Sequence, residues 1–214
     1  FWLDVDTGAA DAFFKRMRMY RLRAEVEIED LRETHAVGWS DSGTAGDIAH
    51  ADPRAGGLGW RLIAPLAEAS NWEKDASDFD ERRILAGIAE LGPDFAPDTA
   101  FPHDIGMDLL GGVDFKKGCY IGQEVVSRMQ HRGTARRRPV VVSGLPLGTA
   151  AGAPVLAGER EAGVLGSVVE GAAVAILRLD RLANENMATV GGLPVKLRLP
   201  PWASYGFGES ASAD

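Results

Sequence analysis

The spacing of apolar and polar residues changes several times along the chain, and each change marks an element. Phe1-Trp2-Leu3-Asp4-Val5 is a mostly apolar run closed by Asp6-Thr7-Gly8. It predicts a strand followed by a helix start, with Asp6 or Thr7 accepting the unpaired N–H groups of the first turn. From Ala9 to about Tyr20, Phe13, Phe14, Met17 and Tyr20 fall on or near one face, the spacing of a helix that packs that face into a core. Lys15, Arg16, Arg18, Arg21 and Arg23 make the rest basic, either a solvated surface or a docking face for an acidic partner. Ala24-Glu25-Val26-Glu27-Ile28-Glu29 alternates strictly, a half-exposed strand with three carboxylates toward water. Thr34 to Trp39 is a further strand, Ser40 to Asp47 a loop, and Asp52 to Ile63 a turn feeding another strand. Asp78 to Leu91 carries Ile84, Leu85, Ile88 and Leu91 at helical spacing up to a Gly92-Pro93 stop. Phe95 to Val113 is turn-rich, a length of irregular chain that more often serves a function or covers a surface than hangs free.

From Pro139 the rhythm becomes short β-like runs between glycine turns. Val140-Val141-Val142, Pro154-Val155-Leu156, Ala162 to Val169, Ala172 to Leu177 and Pro194 to Leu199 recur at strand-and-turn intervals, the mark of a small antiparallel barrel or sandwich. The domain boundary is expected near Thr134 to Pro139, giving a body over 1–134 and a β-domain over 135–214. The Gly/Ser/Ala-rich end from Ser204 is expected to fray. The fold class expected is α+β: a mixed sheet-and-helix body followed by a small C-terminal β-barrel.

Composition narrows the function classes. The 214 residues suffice for one large domain or two modest ones, and 45% apolar with 25% charged residues is ordinary for a soluble globular chain. A net charge of −8 argues against a general binder of nucleic acid or anionic membrane. No apolar run approaches the roughly 18 residues of a membrane span, and no charged-then-apolar leader opens the chain. The single cysteine excludes an intramolecular disulfide and any metal or cluster site built wholly from this chain's own thiolates. It fits a reducing compartment. The opening run reads as a strand already under way and has no initiator Met, so a further N-terminal segment is expected.

The cysteine lies in the chain's densest collection of reactive groups, Lys116-Lys117-Gly118-Cys119-Tyr120-Ile121-Gly122-Gln123-Glu124-Val125-Val126-Ser127-Arg128. Gly118 and Gly122 permit tight turns and close approach of another molecule. Gln123 to Met129 suits a helix with Glu124 in its first turn, so Cys119 sits near a helix N-terminus beside Lys116 and Lys117. Both features favour the thiolate. A free cysteine is as readily a small buried hydrophobe, and spacing alone leaves the two open. Of His35, His50, His103 and His131 only the last is near in sequence, and no serine elbow, Walker loop or zinc-binding His pair is present. Gly57-x-Gly59 lacks the third glycine of a dinucleotide loop. Five arginines fall between 128 and 138, namely Arg128, Arg132, Arg136, Arg137 and Arg138, as a solvated linker or an anion-binding rim. Arg54 and Arg61, beside glycines, are further candidates to clamp an anion.

Lys117-Gly118-Cys119-Tyr120-Ile121-Gly122-Gln123-Glu124, with Arg128 and His131-Arg132-Gly133 following, resembles the signature of the YgfZ-type folate-binding proteins. These are bacterial relatives of a mitochondrial iron–sulfur cluster assembly factor within the aminomethyltransferase superfamily. Asp52-Pro53-Arg54 before Leu58-Gly59-Trp60-Arg61, and Phe101-Pro102-His103-Asp104, are similar to the family's middle region. The resemblance implies an aminomethyltransferase-like body over 1–134, without its N-terminal segment, ahead of the barrel. It implies a tetrahydrofolate-binding accessory factor that assists assembly or repair of iron–sulfur clusters and supports radical and tRNA-modifying enzymes that carry them. Cys119 takes the place of the family's functional thiol, with Lys117, Gly118, Tyr120, Gly122, Gln123, Glu124 and Arg128 as its motif companions. Arg54, Arg61 and Arg132 are candidates to hold the dianionic folate. One thiolate cannot hold a cluster, which would be transient or shared with a partner. The implied partners are iron–sulfur carriers and client enzymes, with no direct nucleic acid and no membrane. The implied location is cytoplasmic, or the mitochondrial matrix in a eukaryote. The alternative is a folate-dependent aminomethyl or one-carbon transferase. Gly56-Gly57-Leu58-Gly59-Trp60-Arg61 lacks the glutamate of the transferases' corresponding segment, which speaks against it.

Overall fold

Asp6 shapes the turn that leads into the first helix and does not cap the helix itself: Oδ1 accepts the N–H of Ala9, the N-cap residue, at 3.2 Å, and α1 runs over Ala10–Tyr20. The computed structural model describes residues 1–43, 48–132 and 135–208, with Arg132 by its backbone alone. Contacts group these residues into two units, Phe1–Asp52 with Gly59–Ala76, and Pro53–Leu58 with Ser77–Asp214.

In the first unit, β1 (His35–Ser40), β2 (Ile48–Ala51) and β3 (Trp60–Pro65) form one antiparallel sheet in the order β1-β3-β2, and β3 runs into a one-turn helix, α2 (Leu66–Ala69). Register sets Val37 opposite Ile63 and Ile48 opposite the same Ile63. Gly38 is required by packing, since a Cβ there would lie 2.4 Å from the Trp72 ring. Three expectations change. Phe1 to Val5 forms no strand, and Phe1, Trp2, Leu3 and Val5 are exposed. Ala24 to Glu29 forms none either, because alternation makes a strand only where a neighbour supplies ladder hydrogen bonds. Helix α1 buries only Ala10; Phe13 and Tyr20 are exposed and Phe14 and Met17 half-buried. Of the loop over Ser40 to Asp47, residues 44–47 lie outside the described residues.

In the second unit, α3 spans Ser77–Leu85 and stops six residues short of the Leu91 that periodicity predicts. Gly87 is the reason. It adopts φ +73°, its N–H reaches the Ile84 carbonyl and the Ile88 N–H reaches that of Arg83, a Schellman ending. Ile88, expected on the helix face, is buried all the same in the chain that follows. Pro102–Ile105 forms a short 3-10 turn, and α4 covers Gln123–Arg132.

The closed barrel follows: β4 (Arg137–Ser143), β5 (Pro154–Ala157), β6 (Arg160–Val169), β7 (Ala172–Arg178), β8 (Ala188–Val190) and β9 (Leu193–Arg198), ordered β4-β7-β6-β5-β8-β9. Val140, Val142, Val155, Leu165, Leu177, Val190, Val195 and Leu197 fill its interior. The five predicted runs are five of its strands, and β8, three residues long, gave no run to read. The texture boundary near 134–139 coincides with the first barrel strand, while 77–132 groups with the barrel in the second unit.

The chain after β9 is docked as far as it is described. Trp202 Nε1 donates to the Ala86 carbonyl at 2.8 Å, Tyr205 Oη to that of Pro139 at 2.8 Å, and the Gly208 N–H to that of Leu179 at 3.1 Å. Fraying from Ser204 is therefore corrected through Gly208, because aromatic side chains in this stretch find barrel surface and carbonyl acceptors. Burial pushes the Tyr205 phenol well up, against a smaller downward pull from Arg138. The folded state thus holds this proton more tightly than the unfolded chain, so its contribution is complete below the free phenol's value of about 10 and is lost as pH rises past it. Urea midpoints of the barrel unit are expected to fall above about pH 10. Tyr205→Phe should flatten that fall; an unchanged slope would remove Tyr205 as its source.

Candidate functional site

Asp114 shapes the turn that carries the thiol. Its Oδ1 accepts the backbone N–H groups of Lys116 at 2.8 Å and Lys117 at 3.2 Å, a side-chain-built turn. Lys117 lays its ammonium over the Tyr120 ring, Nζ 5.4 Å from the centroid. Gly122 takes φ +88°, where a side chain would be strained, and the backbone enters α4 at once. The Gln123 N–H meets the Tyr120 carbonyl at 3.2 Å and the Val126 N–H that of Gly122 at 3.3 Å. A Cβ at Gly118 or Gly122 would find no neighbour within 4 Å beyond the adjoining residues. Cys119, between them, is exposed, and so are Gly118, Lys117 and Ile121. Of the two readings left open for this thiol, the small buried hydrophobe is excluded.

His103 fixes this turn and its helix to the rest of the unit. It is buried; Nε2 lies 3.1 Å from Gln130 Oε1 on α4, and its ring stands 6.2 Å from that of Phe115, just before the lysines. Val126 and Met129 bury the inner side of α4. Glu124 is exposed in the first turn and Gln123 is half-buried. Neither Asp114 nor Gln130 was singled out in the sequence. Asp114 was findable, as an aspartate two residues before the N–H it caps; Gln130 lies 27 residues from its partner.

The arginines separate into different roles. Arg137 is bound to Asp104 at 2.5 Å, and Arg138 to Asp108 at 2.8 Å and to the His103 carbonyl at 2.7 Å, so this part of the run is neither loose linker nor open rim. Arg54 faces Glu90, 3.4 Å away, in the second unit. Arg61, on β3 of the first unit, lies 3.8 Å from Asp4 and 3.9 Å from Asp52. The Arg132 side chain lies outside the described residues. Arg128 is exposed and, with Val125 and Met129, presents one side of α4 to a cavity of about 350 Å³ that Phe101, Asp104, Arg136, Arg137 and Arg178 complete. A second cavity, about 540 Å³, shares Arg137 and Arg178 and is lined by the 92–100 loop and β6. Cys119 lines neither.

Chemically, the turn offers one solvent-facing thiol beside two lysines. Among the described residues no three His, Cys, Asp or Glu side chains converge as metal ligands, so Cys119 would supply a single ligand to any metal centre. Among the described residues no helix is long and apolar enough to cross a membrane.

Residues 135–205 match the family described as CAF17, C-terminal beta-barrel domain, in agreement with the six strands seen there. Over 154 residues the chain is 34% identical to a protein of Pyricularia oryzae named iron-sulfur cluster assembly factor IBA57 homolog, mitochondrial, covering 64% of this chain and 39% of that one. A protein of the same name from Chaetomium globosum is 33% identical over 183 residues, 76% of this chain and 42% of the relative. The human protein named iron-sulfur cluster assembly factor IBA57, mitochondrial, is 31% identical over 155 residues, 64% of this chain and 44% of the relative. The chain thus spans about two fifths of the length of these relatives.

Proposed function

We propose that the protein acts in iron–sulfur cluster assembly or repair, with Cys119 as its working group. The observation that carries this is the exposed thiol on a purpose-shaped turn, in a chain similar to proteins named for that activity. The cluster is cargo. Cys119 gives up its proton and donates one thiolate to iron, and the remaining ligands come from a carrier, a client enzyme or a small thiol. The Asp114 turn and Gly122 hold Cys119 exposed, where a partner's metal can reach it. Lys116 and Lys117 add positive charge that favours an anionic cluster assembly at the same place. Client enzymes of this reading include radical enzymes that modify tRNA. The relatives are named as mitochondrial, which supports the matrix as the proposed location in a eukaryote, with the cytoplasm that in a bacterium.

Tetrahydrofolate is the proposed small-molecule ligand, resting on the resemblance of the cysteine motif. Arg54 and Arg61 fit it poorly as they stand, since Glu90 and the pair Asp4 and Asp52 already face them. Calorimetric titration with tetrahydrofolate is expected to show saturable heat, and none at high concentration would remove the folate part. Cells depleted of the protein are expected to lose the activity of enzymes that carry clusters and to keep that of enzymes without them. Equal loss in both classes, or none, would remove the assembly reading.

A further inference from the structure

The cavity beside α4 is cationic in an acidic protein. Four arginines line it, Arg128, Arg136, Arg137 and Arg178, against one aspartate, Asp104. Two of the four are already engaged: Arg137 by Asp104, and Arg178 by Asp180, whose carboxyl is held below its usual range chiefly by the Arg178 hydrogen bonds. Arg128 and Arg136 have no ion pair among the described residues, and both are exposed at the cavity wall. The rest of the wall is apolar, from Phe101, Val125 and Met129. At about 350 Å³ the space is within the range of small-molecule sites.

We infer that this cavity binds a small organic dianion, a phosphate monoester or a dicarboxylate, with its charges on Arg128 and Arg136 and its body against Phe101, Val125 and Met129. Guanidinium groups suit both anions because their planar N–H pairs match two oxygens at once. Two guanidinium groups outside any ion pair, Arg128 and an Arg136 that feels only the weaker, more distant pull of Asp180, set the preference for a dianion over a monoanion. The apolar wall sets the preference for an organic body over a bare inorganic ion. This site is assigned from the cavity and its charges, and it stands whether or not the protein binds folate or handles clusters.

The test is calorimetric titration of the whole protein with phenyl phosphate and, separately, with phthalate, inorganic phosphate serving as the bodiless control. At least one of the two organic dianions is expected to bind with submillimolar affinity and more tightly than inorganic phosphate. Arg128→Gln and Arg136→Gln should each weaken that binding by about tenfold or more, the size of a lost charge-assisted contact. Phe101→Ala should weaken the organic ligand and leave inorganic phosphate unchanged. Arg160→Gln, an exposed arginine at the start of β6, is the control and should change nothing. No binding of either organic dianion would overturn the inference. So would an Arg160→Gln loss as large as that of Arg128→Gln, which would mean attraction to the surface as a whole. Circular dichroism of each variant separates lost binding from lost fold.

Discussion

Cys119→Ala is expected to abolish support of iron–sulfur enzymes while leaving stability within about 0.5 kcal/mol of the parent, the range for a surface change away from any packed feature. The stability half follows from geometry: the thiol is exposed, and the turn around it is closed by Asp114, Gly122 and the first hydrogen bonds of α4, none of which involves the sulfur. The functional half follows from chemistry, because no second thiol exists in the chain to replace it as an iron ligand. Cys119→Ser keeps shape and polarity but lacks a soft thiolate, and should fail equally. The measurement is cluster-dependent enzyme activity in cells carrying only the variant, read beside its steady-state level and unfolding midpoint. Full support by either variant would sink the proposal. A variant that loses function only because it is degraded would show a shifted midpoint, which the geometry does not allow.

The largest stability effect is expected from Asp94→Ala, toward the lower end of the about 3–5 kcal/mol of a broken buried ion pair, since Arg83 keeps Asp80 as a partner. Asp94 and Arg83 side chains are each only 1% exposed and meet at 2.6 Å. The Asp94 carboxylate also accepts the Glu90 N–H at 2.7 Å and both the N–H and Oγ–H of Ser167 at 2.6 Å. Arg83 in turn donates to Asp80 at 2.7 Å, to the Ile88 carbonyl at 3.3 Å and to Ser167 Oγ at 2.9 Å. One ion pair therefore joins the end of α3, the chain after it and barrel strand β6. Gly166 belongs to the same arrangement, since a Cβ there would stand 2.6 Å from Asp94 Oδ1. Removing the carboxylate leaves a guanidinium short of an acceptor inside the protein and two Ser167 donors without partners. The double change Arg83→Met with Asp94→Leu should cost clearly less than the two single changes together, because both buried charges of the pair are then gone and only the half-exposed Asp80 loses a partner. Hydrogen exchange of the barrel amides reads this unit separately from the other, and a double variant that costs as much as the sum of the two single variants would contradict the account.

The barrel was legible because its strands announce themselves as short apolar runs between regularly spaced glycine turns, and the helix after the cysteine because good helix formers follow a glycine. The network around Arg83 and Asp94 was not. Its members lie 11 and 73 residues apart, and an arginine in a helix or an aspartate after proline looks like ordinary surface. The same limit hid the cavity, whose Arg178 stands 50 residues beyond Arg128 and is brought to it by the pairing of β4 with β7. Local signals misled where tertiary contact decides: Ala24 to Glu29 has a strand's alternation and no neighbour, and the α3 pattern continues past a glycine whose left-handed backbone ends the helix. Within the candidate site, the residues that display the thiol could be read in sequence, whereas Gln130 and His103, which hold that display in place, became visible only once the chain was folded.

A ring of strands with every edge satisfied offers no main-chain template to another polypeptide. Whatever docks on the barrel must do so through side chains. The three-stranded sheet differs, since β1 and β2 each pair only with β3 among the described strands. Any association by backbone augmentation would have to begin there, and a lysine or proline placed on either of those two borders would block it without touching the thiol.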